Sequence, residues 1–324
     1  MHIAVLGCGS IGRRHLRNLQ ALGYTDLVAF DPSAASREAA LQETGVKGYE
    51  KLDDIWGFNP DVVLVTSPSN LHTELALAAA RHGAHLFIEK PLSHSFENLS
   101  TLAAEVEQSN LITMVGCNMR FHPGPAQVKK LISENAVGKV IAARIQTGSY
   151  LPGWRPQTDY RLSYSASPTQ GGAILDCIHE IDLALWYLGA AEVVSAVSLP
   201  AESLGIEVEG LVEILLRHHS GALSNVHLNY IQRDYKRACQ IIGTEGTIYW
   251  DFTDGEVRVY TPAGEWEITK QSADWTVNQM YIDEMTYFMN CVVNHTPTFS
   301  DVQQGIAALQ VALTAKHFSS KVTA

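Results

Sequence analysis

The stretch "HIAVLGCGSIGRRH", residues 2–15, joins a short apolar run to a glycine-rich turn and the start of a helix. The run at 2–7 has the length and composition of a buried strand, and a helical pattern follows the turn. Gly7, Gly9 and Gly12 form a GxGxxG pattern in that turn. Such glycines let backbone N–H groups approach a pyrophosphate at the positive end of the helix. The stretch therefore predicts the opening of a dinucleotide-binding βαβ unit.

The first third of the chain repeats this alternation of strand and helix. Short apolar runs that alternate with helices of about a dozen residues indicate a parallel sheet with helices on both faces. We therefore predict an N-terminal doubly wound Rossmann domain over residues 1–120. Its predicted strands lie at 2–7, 26–31, 61–67, 85–89 and 112–118, and its helices at 9–23, 34–44, 70–83 and 97–110.

Composition excludes several classes of protein. The chain has 324 residues, of which 46% are hydrophobic and 18% charged, so it can form two domains with separate cores. Its net charge of -11 disfavours nucleic acid as a partner, because phosphate binding needs basic patches. No apolar run approaches the roughly 20 residues of a membrane span, and the N-terminal strand leaves no room for a secretory signal. Five dispersed cysteines without a CxxC pair suit a reducing compartment, so we expect a cytoplasmic protein without a metal site.

An acidic residue stands at the expected distance from the glycines. Asp31 ends the second predicted strand, 19 positions after Gly12. Its carboxylate can accept hydrogen bonds from the adenosine ribose hydroxyls and would repel a 2′-phosphate, which favours NAD over NADP. Arg13, Arg14 and Arg37 are nearby cations that weaken this preference, so NADP stays possible. The glycines, with Ser10 and Ile11 between them, are the predicted phosphate-binding residues.

Polar residues follow the third, fourth and fifth predicted strands. In a parallel sheet, ligands bind beyond the carboxyl ends of the strands, so these residues are expected to meet at the cofactor crevice. The fourth strand ends in Glu-Lys-Pro, where Lys90 would stand beside the nicotinamide and the substrate. The Lys90–Pro91 bond is of the kind that can be cis. The predicted cofactor-binding residues at these ends are Thr66, Ser67, Pro68, Asn70, His72, Glu89, Lys90 and Asn118, and Arg120 is a predicted substrate contact.

The second half of the chain has longer strand-like runs with few helices between them. This pattern predicts an α+β domain over residues 121–324, built on an open-faced, mostly antiparallel sheet. The runs are at 140–148, 192–199, 209–218, 221–230, 237–252 and 256–260, and helices are expected at 279–294 and 302–320. An uncovered β face that carries aliphatic residues would be an association surface.

A second chemical segment, "GGAILDCIHEIDLALWYLG", spans residues 171–189. Placed on one helix, it has an apolar stripe on one side and Asp176, His179 and Glu180 on the other, together with Leu183 and Trp186. A solvated face rarely carries Leu and Trp between its acids, so this side is expected to meet a cleft or another domain. Asp176 and His179 are three residues apart and could hydrogen-bond or share a substrate hydroxyl. A His held by a carboxylate suits general acid/base catalysis, although a structural histidine is the alternative.

The loop at 148–172 separates these segments and is polar, aromatic and rich in proline. Aromatic rings stack on sugar faces, and arginine can fork onto a carboxylate or phosphate. Clustered arginines in an acidic chain indicate an anionic substrate such as a nucleotide sugar or sugar acid, whereas a plain surface loop or a dimer arm is the alternative. The predicted substrate-binding residues of this loop are Trp154, Arg155, Tyr160 and Arg161, with Tyr164 beside them.

Three segments together resemble the Gfo/Idh/MocA oxidoreductases, the family of glucose-fructose oxidoreductase and inositol dehydrogenase. They are "GCGSIGRRH" at 7–15, "TSPSNLHTELALAAARHGAHLFIEKPLS" at 66–93 and "GCNMRFHP" at 116–123. The resemblance implies that Lys90 is the catalytic lysine, touching the nicotinamide ribose and the substrate hydroxyls. It also implies that an Asp and a following His act with that lysine. In much of the family these two residues are four positions apart, whereas Asp176 and His179 are three apart. The resemblance assigns His179 through the "HEID" that it begins, and Asp176 is the aspartate that precedes it.

The resemblance further implies a second domain that supplies the substrate site and buries its open sheet in a homodimer or homotetramer. The predicted activity is NAD(P)-dependent hydride transfer to or from a secondary alcohol carbon of a sugar, cyclitol or nucleotide sugar. His179 is the expected proton acceptor and Lys90 the electrostatic partner, although these roles could be exchanged. Two alternatives share the fold: an NAD-dependent glycoside hydrolase with internal redox recycling, and a non-catalytic NAD-binding regulator.

Overall fold

The computed structural model describes residues 1–322 of the chain, with side chains as far as residue 318. The chain divides into two compact units. The first contains residues 1–118 and 276–306, and the second contains residues 119–275 and the chain from 307 onward. The predicted second domain, 121–324, included the segment 276–306, which the structure places in the first unit. Residues 323 and 324 of that prediction lie outside the described residues.

The first unit contains a six-stranded parallel sheet in the order β3-β2-β1-β4-β5-β6. This is the doubly wound order, in which the direction of strand addition reverses between β1 and β4. The strands are β1 (Ile3–Leu6), β2 (Leu27–Phe30), β3 (Gly48–Tyr49), β4 (Val62–Val65), β5 (His85–Glu89) and β6 (Thr113–Gly116), and the helices are α1 (Ser10–Ala21), α2 (Ala34–Thr44), α3 (Leu52–Gly57), α4 (His72–Arg81) and α5 (Leu99–Gln108).

Local sequence explains where these elements begin and end. The central strands β1 and β4 are buried along their whole length, as expected for apolar runs covered by helices on both faces. Helix α2 begins after Ser33, whose side chain accepts from the backbone N–H of Ser36, and ends at Gly45 with φ 71°. The sequence prediction missed β3 and α3, because two and six residues are too short to show a periodic pattern.

The second unit is built on an eight-stranded sheet in the order β14-β13-β12-β11-β7-β10-β9-β8. Neighbouring strands are antiparallel except β7 and β10, so the predicted fold class is confirmed. The strands are β7 (Val140–Tyr150), β8 (Ala191–Pro200), β9 (Glu209–His218), β10 (Leu223–Asn229), β11 (Ile231–Gly243), β12 (Thr247–Asp251), β13 (Glu256–Tyr260) and β14 (Trp266–Lys270), and the helices are α6 (Pro123–Ser133), α7 (Ala173–Asp176) and α8 (Ile178–Leu188).

Two long helices follow β14 along the chain. They are α9 (Val277–Asn294) and α10 (Val302–Val322). Helix α9 belongs to the first unit because its side chains contact α1: the amide of Asn278 donates to Asn18 over 3.0 Å, and Arg14 lies 4.4 Å over the ring of Tyr281. These are pairs far apart in the sequence, which no local pattern could predict. Across residues 1–322, no helix is both long and apolar enough to cross a membrane.

Candidate active site

The glycine loop after β1 is closed on one side and open on the other. A Cβ atom on Gly7, which has φ 117°, would lie 2.7 Å from the backbone nitrogen of Ser67, and one on Gly12 would lie 1.9 Å from the Gly7 carbonyl oxygen. By contrast, no described atom lies within 4 Å of a Cβ built on Gly9, the residue before α1. The loop therefore packs against the end of β4 and leaves the first turn of α1 accessible. This shape fits a pyrophosphate held by backbone N–H groups.

Asp31 lies directly beyond β2 and is oriented by the glycine loop. Its Oδ2 accepts from the backbone N–H of Cys8 over 2.8 Å, and its Oδ1 accepts from that of Ser33 over 2.9 Å. A carboxylate oxygen has more than one acceptor site, so these contacts fix its direction without using its full capacity. The residue is partly exposed and remains able to accept from ribose hydroxyls.

The three nearby arginines are engaged in other contacts. Arg13 pairs with a carboxylate on α2 over 2.7 Å, and Arg37 donates to the backbone carbonyl of Asp31 over 2.8 Å. The guanidinium of Arg14 is stacked over the Tyr281 ring. Each contact must be broken or shared before that arginine can hold a 2′-phosphate, which strengthens the case for NAD made from Asp31.

The residues that follow β4 divide into buried and exposed groups. Thr66 is 5% exposed, and its hydroxyl donates to the Gly7 carbonyl over 2.8 Å, so it shapes the loop from beneath. The His72 ring is also buried and faces two backbone carbonyls, which leaves neither ring nitrogen directed at a ligand. Both had been predicted as cofactor contacts, and their side chains are better described as structural supports. Of the predicted set at this strand end, Ser67, Pro68 and Asn70 keep accessible surface.

The end of β5 explains why a Glu and a Lys precede a proline. The Glu89 carboxylate lies 2.7 Å from Nε2 of His15 on α1, and it also accepts from the backbone N–H of Lys90 over 3.2 Å. Glu89 thus ties β5 to the helix that follows the glycine loop, while Lys90 is partly exposed at the carboxyl edge of the sheet. The Lys90–Pro91 peptide bond is cis.

Asn118, beyond β6, is 6% exposed and lies close enough to Tyr281 of α9 to affect the pKa of that phenol. Burial raises the pKa of Tyr281, with the Glu89 charge as a further cause. The first unit therefore places the glycine loop, Asp31, Ser67 and Lys90 at the carboxyl ends of neighbouring parallel strands, which is the edge where ligands bind in such sheets.

Arg120 was predicted to contact substrate, and in the structure its guanidinium is already engaged. Its guanidinium forms a two-pronged ion pair with Asp182 of α8, with N–O distances of 2.9 and 2.6 Å. The two side chains are 2% and 3% exposed. Cζ of Arg120 lies 5.5 Å from the centre of the Trp186 ring. Arg120 is therefore an internal support of the second unit, because a buried guanidinium held on both prongs is not presented to a ligand.

We expect Asp182→Ala to lower the free energy of unfolding by about 3–5 kcal/mol, because it leaves a buried guanidinium without its counter-charge. Asp159→Ala is the matched control: it removes the same two-pronged geometry from Arg161 on the surface, where solvent screening leaves an ion pair with little effect on stability. Urea unfolding of both variants measures the difference. Equal losses would contradict the structural role given to Arg120.

The segment 171–189 is two helices and not one. Helix α7 ends at Asp176, Cys177 has φ −97° and ψ 31°, and α8 starts at Ile178. The single helical wheel was therefore wrong across this break, because the apolar spacing resumes immediately after Cys177 and conceals it. Asp176 and His179 lie on either side of the break and are 6% and 7% exposed.

Asp176 is held by a tyrosine hydroxyl. The hydroxyl of Tyr230, between β10 and β11, donates to Oδ2 of Asp176 over 2.6 Å, and Tyr164 lies close enough for the carboxylate to affect its pKa. Burial, followed by the Asp176 charge, raises the pKa of both phenols. Glu180, by contrast, is fully buried and pairs with Arg237 over 2.7 Å, so it serves as an internal anchor of α8.

The loop at 148–172 places only some of its predicted residues beside this carboxylate. The Trp154 ring meets Tyr230 edge-on at 5.4 Å, which brings it next to the Asp176 cluster. The Tyr160 hydroxyl donates to the carbonyl of Leu204 over 2.8 Å, so that hydroxyl is already occupied. Arg161 forks onto Asp159 within the loop, as described above. Arg155 is exposed, and its charge opposes in part the rise in the pKa of Tyr164.

Three residues that the structure brings to these strand ends were not predicted from the sequence. His15 and Tyr281 contact Glu89 and Asn118 in the first unit, and Tyr230 contacts Asp176 in the second. His15 carried a usable signal, since it is the next polar position on the inner face of α1 after the glycines. A single tyrosine at the end of a strand and another on a helix far along the chain carry none.

A doubly wound sheet with an open glycine loop and an acidic residue after β2 defines a dinucleotide-binding α/β protein. The family model described as "Oxidoreductase family, NAD-binding Rossmann fold" matches residues 1–117, and "GFO/IDH/MocA C-terminal domain" matches residues 126–249. The chain belongs to the Gfo/Idh/MocA family of NAD-binding oxidoreductases. This confirms the predicted family, the cofactor and the enzyme class, an NAD(P)-dependent oxidoreductase acting on CH–OH groups.

Similar proteins of known sequence and structure agree with this assignment. Myo-inositol 2-dehydrogenase of Thermotoga maritima is 32% identical over 78% of this chain and 75% of its own length. The scyllo-inositol 2-dehydrogenase (NAD(+)) of Bacillus subtilis is 28% identical over 94% and 90%. A levoglucosan dehydrogenase, solved with NADH and levoglucosan, has the same fold with a TM-score of 0.89 at 21% identity, covering 99% of this chain and 97% of that one.

Proposed function

We propose that this protein is an NAD-dependent dehydrogenase of a sugar or cyclitol. The observation that carries the proposal is the placement of Lys90 at the same carboxyl edge of the parallel sheet as the glycine loop and Asp31. The names of the relatives, which are inositol dehydrogenases and a levoglucosan dehydrogenase, support this substrate class. They also favour net hydride transfer over the glycoside hydrolase and regulator alternatives.

In this proposal the backbone of the glycine loop, from Gly7 to Gly12 with Ser10 and Ile11, holds the pyrophosphate. Asp31 accepts from the ribose hydroxyls, and Ser67, Pro68 and Asn70 border the cofactor beyond β4. When bound, the nicotinamide supplies a carbon that takes up or returns a hydride.

The proton of the reacting hydroxyl is the task of the protein side chains. As the alcohol carbon gives up its hydride, the hydroxyl proton passes to His179 or Lys90, and a carbonyl is left. Where His179 takes the proton, the Lys90 ammonium stabilises the negative charge that develops on the oxygen; where Lys90 takes it, its amine must first be neutral. Asp176, oriented by Tyr230, is proposed to accept a hydrogen bond from a neighbouring substrate hydroxyl. Trp154 is proposed to stack on the ring, and Arg155 to meet an anionic group where the substrate carries one.

Cofactor choice gives a prediction for Asp31. We expect Asp31→Asn to weaken NAD binding about 10–100-fold, because a charged hydrogen-bond acceptor is lost. The difference between the affinities for NAD and NADP should also decrease, because the repulsion of a 2′-phosphate is removed. Fluorescence titration with NADH and NADPH measures the two dissociation constants. Asp26→Asn, which changes an exposed aspartate at the opposite end of β2, is the control. An unchanged preference for NADH would remove Asp31 from the ribose site.

The test of the function is a substrate panel. Nicotinamide absorbance in the near ultraviolet would be followed with NAD and then NADP across cyclitols, free and anhydro sugars, sugar acids and nucleotide sugars. We expect NAD reduction with at least one cyclitol or sugar. Turnover with catalytic NAD and release of an aglycone would point to the hydrolase, and tight NAD binding without any turnover would point to the regulator. An anionic preference that Arg155→Ala leaves unchanged would remove the anion-binding role.

We also propose that the protein associates through the second sheet. Helices α6, α7 and α8 pack on one face of the sheet, as shown by the alternating burial of β9 and β10. The other face carries a polar network that joins Arg144, Gln240 and Tyr249, and exposed apolar side chains at Leu199 and Trp266. We expect light scattering to give a dimer or tetramer and Leu199→Lys/Trp266→Lys to weaken it. A monomeric wild type would contradict this proposal.

A further inference from the structure

Two buried histidines lie against the peptide groups on either side of Lys90. We infer that His15 and His72 are positioning residues that fix the backbone of Lys90 relative to the glycine loop. This inference rests on the proposed function in one respect, the assignment of Lys90 to the reacting hydroxyl. Neither histidine would touch the substrate, because their side chains are enclosed by the first unit.

The contact on the N-terminal side runs through Glu89. His15, which is 0% exposed, places Nε2 at 2.7 Å from one oxygen of Glu89, and the other oxygen accepts the Lys90 backbone N–H. A carboxylate only accepts, so the imidazole is the donor. His15 is held in turn by the edge of the Phe87 ring at 5.1 Å. The peptide before Lys90 is therefore tied to α1, the helix whose first turn belongs to the glycine loop.

The contact on the C-terminal side is direct. Nδ1 of His72 lies 2.9 Å from the carbonyl oxygen of Pro91, and Nε2 lies 2.8 Å from that of Ser67. Carbonyl oxygens only accept, so the single N–H of the neutral ring can donate to only one of the two. Burial lowers the pKa of His72 and so disfavours the imidazolium that could donate to both. One side chain at the start of α4 still contacts both the peptide after Lys90 and the chain that leaves β4.

These contacts matter because a lysine side chain is intrinsically flexible. Its ammonium stands on a flexible four-carbon stem, so the position of the backbone sets the region the charge can reach. A displacement of about 1 Å at a reacting group can cost about 100-fold in rate. The histidines engage the residues on both sides of Lys90 directly: His15 contacts the Glu89 carboxylate, and His72 contacts the Pro91 carbonyl.

His15 and His72 differ in which side chains could replace them. Nδ1 of His15 has no hydrogen-bond partner among the residues that the structure describes, so a side chain that supplies one N–H could replace the ring. Glutamine offers such a group at nearly the same reach. Both nitrogens of His72 are in contact, so we expect no single amide to restore it.

The experiment compares His15→Leu, His15→Gln and His72→Leu with two controls. His85→Leu removes a histidine contact from the opposite end of β5, where Nδ1 accepts the backbone N–H of Ile112, and His218→Leu removes a buried histidine with both nitrogens engaged in the second unit. The measurements are kcat and KM on the best substrate of the panel, NADH affinity by fluorescence, thermal stability, and hydrogen exchange at the Lys90 amide.

We expect His15→Leu and His72→Leu to lower kcat about 10–100-fold with NADH affinity within about two- to threefold of wild type. Exchange at the Lys90 amide should quicken in His15→Leu, and His15→Gln should return both quantities close to wild type. The controls should match the Leu variants in stability loss but keep kcat. If His15→Leu does not fold, Glu89→Gln takes its place, with the same expectations.

The inference is overturned if the controls lose kcat as much as the two variants do, or if His15→Gln is as poor as His15→Leu. Hydrogen exchange separates this result from a failure of the proposed function. Suppose that the wild type turns over no substrate of the panel, while hydrogen exchange at the Lys90 amide still quickens in His15→Leu. Then the positioning role of His15 is supported, and the reaction proposed for Lys90 is wrong. Unchanged exchange in His15→Leu overturns the positioning role whatever the activity.

Discussion

Replacing Lys90 by methionine should lower kcat by about 1,000-fold while NADH still binds. Methionine keeps most of the length of the side chain and removes the ammonium, so the variant loses both a proton-handling group and a positive charge at the developing oxygen. General acid/base groups contribute about 100- to 10,000-fold, and one electrostatic donor about 100- to 1,000-fold. The two effects overlap in one residue, which places the expected loss near the middle of these ranges.

The measurement is steady-state turnover beside fluorescence titration of NADH. Lys47→Met is the matched control. Lys47 is an exposed lysine of the same unit, just before β3, and its ammonium lies over the Tyr49 ring. It should retain wild-type kcat. A Lys90→Met enzyme with more than about a tenth of wild-type kcat would rule out acid/base or electrostatic catalysis by this residue.

Gly12→Ala should abolish measurable cofactor binding and lower the free energy of unfolding by about 1–3 kcal/mol, the usual cost of forcing an extra methyl group into a packed site. The new Cβ would fall 1.9 Å from the Gly7 carbonyl oxygen and 2.8 Å from Oγ1 of Thr66. A backbone carbonyl cannot turn aside as the end of a side chain can. The loop and α1 would therefore separate, and the N–H groups proposed for the pyrophosphate would lose their common direction.

Gly9→Ala gives the informative contrast. Its Cβ would meet no described atom within 4 Å, so stability should stay within about 0.5 kcal/mol of wild type. The methyl group would nevertheless project into the space given to the pyrophosphate, and NADH affinity should fall at least about tenfold. Gly153→Ala, also without a neighbour at Cβ, is the neutral control for both quantities. Unchanged NADH binding in Gly9→Ala would place the cofactor elsewhere.

The sequence predicted the first unit well because its signals are local. The glycine spacing, the interval to Asp31 and the short apolar runs each lie within about 20 residues, and each is imposed by a turn, a ribose contact or a covered strand. The strands β5, β9 and β13 begin and end where the apolar patterns do. The half-buried strand β3 has only two residues, too few to carry such a pattern.

What the sequence could not supply depends on pairs distant along the chain. Arg120 was predicted as a substrate contact because it follows a strand, and only the structure reveals its buried pairing with Asp182, 62 positions later. The partner of Asp176 is Tyr230, 54 positions away, and the break at Cys177 leaves the apolar spacing intact. Similarly, only the structure reveals that Glu89 faces His15. In each case the deciding contact joins separate elements.

The most direct test of the proposed activity is the fate of the carbon-bound hydrogen of the substrate. The polyol that gives the largest signal in the panel would be deuterated at its carbinol carbons and incubated with the wild-type enzyme and NAD. We predict that deuterium appears on the nicotinamide of the reduced cofactor, in an amount equal to the ketone formed, and that Lys90→Met and His179→Ala suppress both products together. Deuterium released to water, or a cleaved glycoside with no labelled NADH accumulating, would contradict a dehydrogenase that transfers hydride directly.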